Sequence, residues 1–225
     1  RTFRWDSEST EKAHVHCVII GFADKNLPVD KFIFDGDKKI SAKNINPYLI
    51  DAPNILIQSR SKPLCDVPKM TNGNQATDDG NFIFSEEEAE IFSKKYPEHK
   101  KFLKKYLGAK NFLHDKPIKF CLWLKDVPPN EFKNNREIMR RIENIKIFRE
   151  KSSAAPTRKS AETPQKFFST PQTNENYIAI PRTSSERRKY LPIKFLSPEI
   201  ISNCDLCIIP NANLFHFGIL SSKVH

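Results

Sequence analysis

The 225 residues contain no apolar run approaching the twenty or so needed to cross a bilayer as a helix. An amphipathic anchor and a lipidation signal are missing too, so a membrane surface is a poor candidate partner. No apolar segment follows the stretch from Arg1 to Arg4, and no secretory signal is expected. There is no Walker loop, no Gly-x-Ser-x-Gly elbow and no His-Glu-x-x-His pair, and no internal repeat. An autonomous enzyme is therefore the least favoured reading. The five cysteines (Cys17, Cys65, Cys121, Cys204 and Cys207) are odd in number and sit mostly within apolar runs. That suits reduced thiols in a cytoplasmic protein better than a disulfide framework. The chain starts at Arg1 without methionine, directly in foldable sequence, and reads as a piece of something longer.

Positive charge is present in excess, at a formal net +10. Between Arg140 and Lys194 thirteen cations face five anions, so this quarter of the chain carries about +8. Concentrated positive charge attracts polyanions, and with the membrane set aside nucleic acid leads. The densest point is Thr183-Ser184-Ser185-Glu186-Arg187-Arg188-Lys189-Tyr190-Leu191-Pro192. Three consecutive cations stand there between the apolar segments Tyr177–Ile180 and Leu191–Phe195. Guanidinium forks pair with phosphate or with the edge of guanine, and flanking strands would hold them in place. The competing reading is a solvated turn that Ser185 and Glu186 cap and neutralise.

Periodicity and punctuation predict an α+β fold with mixed and antiparallel sheets and interspersed helices. Residues 13–22 read as a buried strand closed by Gly21, and Lys31–Phe34 meets the hairpin turn Asp35-Gly36 and returns through Lys38–Ser41. Ile55–Gln58 reads as a short strand. Ser85 and Glu88 form a capping box for a helix to about Tyr96, and Pro97 starts a second helix ended by Gly108. Phe120–Leu124 is a strand. Asn134 or Asn135 opens a helix to about Lys151 with Ile138, Ile142, Ile145 and Phe148 as its apolar stripe. Residues 152–176 read as a loop anchored by Phe167 and Phe168. Strands follow at 177–181, 190–196 and 205–209, and Leu214–Leu220 can be helical.

Three polar clusters invite chemistry. Asn46-Pro47-Tyr48 is comparable to the Asn-Pro-Pro-Tyr loop of amino-methyltransferases, but it lacks the second proline and a preceding glycine-rich cofactor loop, so it reads as a turn. Cys204-x-x-Cys207 has zinc-knuckle spacing without a second pair, and His14 with His16 lacks a third ligand. Strand packing is the favoured role for both.

Several segments in order resemble one family, the single-chain restriction–modification enzymes of the MmeI type. They are Val15–Phe22, Ile45–Leu49, Arg60 with Pro63, Gly73-Asn74 with Asp79-Gly80, and Cys121–Leu124. Ser185–Arg188 with Tyr190 and Pro192, and Phe217–Ser222 with His225, complete the set. The resemblance implies that residues 1–36 are the last strands of an adenine-N6 methyltransferase domain and 37–225 a DNA target-recognition domain. It also implies double-stranded DNA as partner, with the missing methyltransferase and nuclease domains of the same chain beside it. S-adenosylmethionine, and magnesium for the nuclease, would serve the parent, with no cofactor held by this segment. The DNA-facing residues it suggests are Arg187, Arg188 and Lys189, with Arg182 and Lys194 nearby and Arg60, Lys62 and Asn74 as a second group. An RNA-binding module and a scaffold for an acidic protein partner are the rivals.

Overall fold

The computed structural model describes residues 1–6, 14–114, 118–185 and 187–222, with the His14 side chain left aside. It divides into two compact units, Arg1–Cys65 and Asp66–His225. The first unit is built from two antiparallel ribbons, β1 (Phe3–Asp6) with β2 (His14–Cys17) and β3 (Lys31–Asp35) with β4 (Lys38–Ala42). The second hairpin turns one residue later than the sequence suggests. Asp35 pairs with Lys38, leaving Gly36-Asp37 as the loop, with Gly36 at φ +59° where glycine carries no Cβ penalty. The expected buried strand over 13–22 forms only as β2, while Ile19 and Phe22 are exposed, because a two-stranded ribbon offers no second layer to cover them. Ile55–Gln58 forms no strand. The Asn46 turn is a closed local device: its side-chain oxygen accepts from the Tyr48 and Ile50 N–H groups at 2.9 and 3.4 Å. The domain boundary expected after residue 36 falls at the tip of the β3–β4 hairpin, both strands of which lie in this unit.

The second unit holds two four-stranded sheets. One contains β6 (Ile83–Phe84), β7 (Leu103–Leu107), β8 (Lys119–Leu122) and β11 (Ile200–Ser202), in the order β11-β7-β8-β6. Its helical partners are α1 (Glu86–Lys95) and α3 (Arg136–Glu150). The α1 capping box is in place, with Ser85 Oγ accepting from Glu88 N–H at 3.1 Å and Glu88 Oε2 accepting from Ser85 N–H at 2.7 Å. Asn135 caps α3 by accepting from the Glu137 and Ile138 N–H groups at 3.0 and 3.1 Å. The α3 helix buries Ile138, Ile142, Ile145 and Arg149. This stripe departs from the sequence reading at its end, since Phe148 is 39% exposed and Arg149 takes the inward position. The long segment after α3 folds as a short helix, α4 (Ala155–Lys159), and a 3-10 turn. Phe167 enters the core there, 4.8 Å from Phe82 between ring centroids, while Phe168 stays half out.

The helix expected from Pro97 to Gly108 divides into a 3-10 turn over Pro97–Phe102 and strand β7. A continuous helix would place Lys100 above Lys104 and Lys101 above Lys105, two like-charge pairs at the spacing that destabilises helices. Pairing β7 on both sides, with β8 and β11, replaces that helical stacking with sheet register, in which Lys104 stands opposite Cys121 and Lys105 opposite Phe120 and Ile200. Gly108 instead caps α2 (Ala109–Leu113) at its start.

The other sheet runs β10-β9-β12-β5, from β5 (Thr71–Asn72), β9 (Tyr177–Pro181), β10 (Lys194–Leu196) and β12 (Leu206–Pro210). Every residue of β9 is buried, as expected of a central strand with both faces covered. Tyr177 and Ala179 pack with Phe112 on one face; Ile178 and Ile180 pack with Phe217 of α5 (Leu214–Leu220) on the other. The chain passes between the sheets at Gly73, whose N–H donates to Leu206 O at 2.7 Å. A Cβ at Gly73 would meet Asn203 O at 2.2 Å, so this position has room for backbone only. Gly73→Ala is expected to destabilise the protein by about 1–3 kcal/mol. A urea titration measures it, and an unchanged midpoint would show that the crossing yields without cost.

Candidate nucleic-acid interface

The cationic turn joins β9 to β10 and so leaves from the best-buried strand of the second unit. Arg182, the first residue after β9, donates its N–H to Asp205 O at 2.9 Å, and its guanidinium reaches Cys204 O at 3.4 Å. Ser185 shapes the bend, its hydroxyl accepting from Arg187 N–H at 3.2 Å and its carbonyl from Arg188 N–H at 3.1 Å. The serine thus caps the turn, as the competing reading required of it. Glu186 lies outside the described residues. Among the described residues neither the Arg187 nor the Arg188 guanidinium has a hydrogen-bond or ion-pair partner, and both are exposed. Lys189 stands over the Tyr190 ring at 5.6 Å. The backbone is held while the cationic heads remain available to an anion.

The other expected residues divide. Lys194 is tied down: its ammonium donates to Phe112 O at 3.0 Å and sits 4.8 Å above the Phe112 ring. Arg60 and Lys62 are exposed, but they belong to the first unit. Asn74 is a correction. It is fully buried, and its amide donates to Gln172 Oε1 at 2.8 Å and Ser202 O at 2.9 Å while accepting from Gln172 N–H at 3.2 Å. A side chain so enclosed reaches no external ligand; it locks three segments of the fold together.

The basic quarter of the chain is also less available than its count suggests. Arg149 is fully buried, and Arg140 and Arg141 both pair with Glu137, at 2.7 and 2.9 Å. Sequence reasoning missed a different cationic set, the six lysines within residues 94–105, against which only Glu98 stands in that stretch. Burial pushes the Cys121 thiol and the Tyr106 and Tyr177 phenols upward, away from their ionised forms. Among the described residues no three His, Cys, Asp or Glu side chains are grouped to hold a metal, and Cys207 instead contacts Asn72 Oδ1 at 3.9 Å. No helix among them is long and apolar enough to cross a membrane.

These features define an α+β module whose two sheets present a cationic turn with no ion-pair partner among the described residues. The sequence pattern of the MmeI target recognition domain matches residues 51–225, and the chain belongs to that family. It is 36% identical over 225 residues to DNA methyltransferase A of Bacillus subtilis (strain 168), covering all of this chain and 26% of that protein. It also superposes on the solved structure of the type IIL restriction-modification enzyme MmeI in complex with DNA, with a TM-score of 0.86 and 40% identity. That match covers all of this chain and 31% of the MmeI chain. The chain therefore spans between a quarter and a third of the length of these relatives.

Proposed function

We propose that this chain is the duplex-DNA recognition module of a restriction–modification methyltransferase. The observation that carries the reading is the Arg187-Arg188-Lys189 turn, exposed, without an ion-pair partner among the described residues and rooted in buried β9, in a member of this family. Phosphate contacts set the register of a protein on a duplex, and base-edge contacts choose the sequence. Lys189 suits the first task and the planar guanidinium of Arg187 or Arg188 either one. Arg182 is a nearby contributor, while Arg60 and Lys62 would act from the other unit. The task is needed because a base stacked in a duplex must be flipped out before an exocyclic amine can be methylated. Residues 1–36 would be the last strands of the adenine-N6 methyltransferase domain and 37–225 the recognition domain, acting in the cytoplasm, where the five free thiols persist.

S-adenosylmethionine, and magnesium for the nuclease, would be held by the parent's other domains rather than by this segment. The six glycines form no phosphate- or nucleoside-cradling loop, and no carboxylate cluster is assembled among the described residues. The test is fluorescence anisotropy with random duplex DNA and matched single-stranded RNA at 50 and 200 mM salt. Duplex binding that weakens steeply with salt is the expected result. A preference for the RNA, or no salt-sensitive binding to either, would replace this reading by one of its rivals.

A further inference from the structure

Four of the six lysines of residues 94–105 line one groove where the expected helix splits into a 3-10 turn and a strand. The 3-10 turn and β7 frame a groove with the segment leading into β11, lined by Lys100, Lys101, Lys104 and Lys105 and floored by Leu103, Phe120 and Ile200. Lys105 pairs in register with Phe120 on one side and Ile200 on the other, so its ammonium rises from a doubly paired strand between two apolar neighbours. Two of the four cations are already neutralised. Lys101 pairs with Glu131 at 2.6 Å, and Lys104 pairs with Glu199. Lys100 and Lys105 are exposed and have no ion-pair partner among the described residues.

We infer that this groove is a second DNA-backbone contact, taking the phosphodiester strand that runs on from the cationic turn. This inference rests on the function proposed above. An apolar floor suits deoxyribose, and a lysine rim suits phosphate, since lysine acts as a point charge without sequence preference. Continuity of the chain bounds the separation of the cationic turn from the groove wall. From Lys189 the backbone runs through β10 to Ser197 on the groove wall, eight residues on. Eight residues span at most about 28 Å, less than the roughly 34 Å of one duplex turn.

The experiment uses the full-length protein with a random-sequence duplex titrated over a range of salt. Lys100→Gln with Lys105→Gln removes two phosphate contacts, so the slope of log K against log salt falls by about 1.8. Preference for the target sequence is unchanged, because phosphate contacts carry no base information. Glu131→Gln with Glu199→Gln acts in the opposite direction: freeing Lys101 and Lys104 steepens the slope and tightens binding. A structural role for the lysines would not yield that opposite sign. If the lysine variant keeps the wild-type slope while neutralising Arg187, Arg188 and Lys189 lowers it, the groove is not a DNA contact and the recognition reading stands. If the wild-type protein does not bind duplex at all, both fall.

Discussion

Replacing Arg149 with methionine is expected to destabilise the protein by about 3–5 kcal/mol, the range seen when a buried charge network loses a partner. The guanidinium is fully buried and donates to Thr77 O at 2.9 Å, Ala76 O at 2.8 Å and Lys166 O at 2.9 Å. It also donates to Ser160 O at 3.1 Å and reaches Thr163 O at 3.5 Å. Methionine fills similar space but donates nothing: Ala76 O, Ser160 O and Thr163 O keep backbone donors at 3.4, 3.2 and 3.0 Å, while Thr77 O and Lys166 O lose the guanidinium, and an unmatched buried carbonyl costs on the order of 1–3 kcal/mol. The same change removes one of the influences on Asp78, whose carboxyl burial pushes upward in pKa while the Phe82 and Gly80 N–H groups and, after them, the Arg149 charge pull it down. The thermal midpoint should drop by roughly 6–20 °C, at about 2–4 °C per kcal/mol for a unit of this size. Arg149→Lys should recover only part of the loss, because an ammonium cannot reach several separated carbonyls with a planar fork. An exposed control, Arg140→Met, should move the midpoint little. Equal shifts for Arg149→Met and Arg140→Met would remove Arg149 from the role of internal tie.

The other large effect is on affinity. Changing Arg187, Arg188 and Lys189 together to glutamine removes three exposed cations without touching the buried strand β9 from which the turn leaves. If all three meet phosphate, the salt slope falls by about 2.7, and the gap between wild type and variant narrows about fortyfold between 50 and 200 mM salt. If one arginine instead reads a guanine, its single substitution should relax one position of the target by roughly 1–3 kcal/mol while the slope changes less. Unfolding midpoints should match wild type throughout. A variant that folds normally and binds duplex with unaltered affinity and slope would take this turn out of the interface.

Legibility from sequence followed locality. The Ser85–Glu88 box, the Asn135 cap and the β8 strand are short-range patterns, and they stand where the sequence places them. The 97–108 segment was misread because Pro97 and Gly108 are sound helix punctuation, yet the lysine repulsion and the two strands that flank β7 decide otherwise. Those partners, residues 119–122 and 200–202, are distant in sequence, and no local window contains them. Asn74 was misread for a related reason. A polar residue in a glycine-bearing loop looks exposed until Gln172 and Ser202 close over it. Arg149 shows the same limit: Phe148 was the reasonable inward choice, yet the structure turns the adjacent Arg149 inward and leaves Phe148 39% exposed.

By itself the sequence determined the α+β class, the helix caps, the family and the cationic turn, because each is written in neighbouring residues or in their order along the chain. Only the tertiary structure decided which cations are available. Arg149 is enclosed by carbonyls from segments up to seventy-three residues away, Lys194 is held at Phe112, and Lys100 and Lys105 are left open on a groove. A charge is counted in the sequence, but its reach is set by what the fold lays against it, and desolvation or pairing there settles whether it can meet a phosphate.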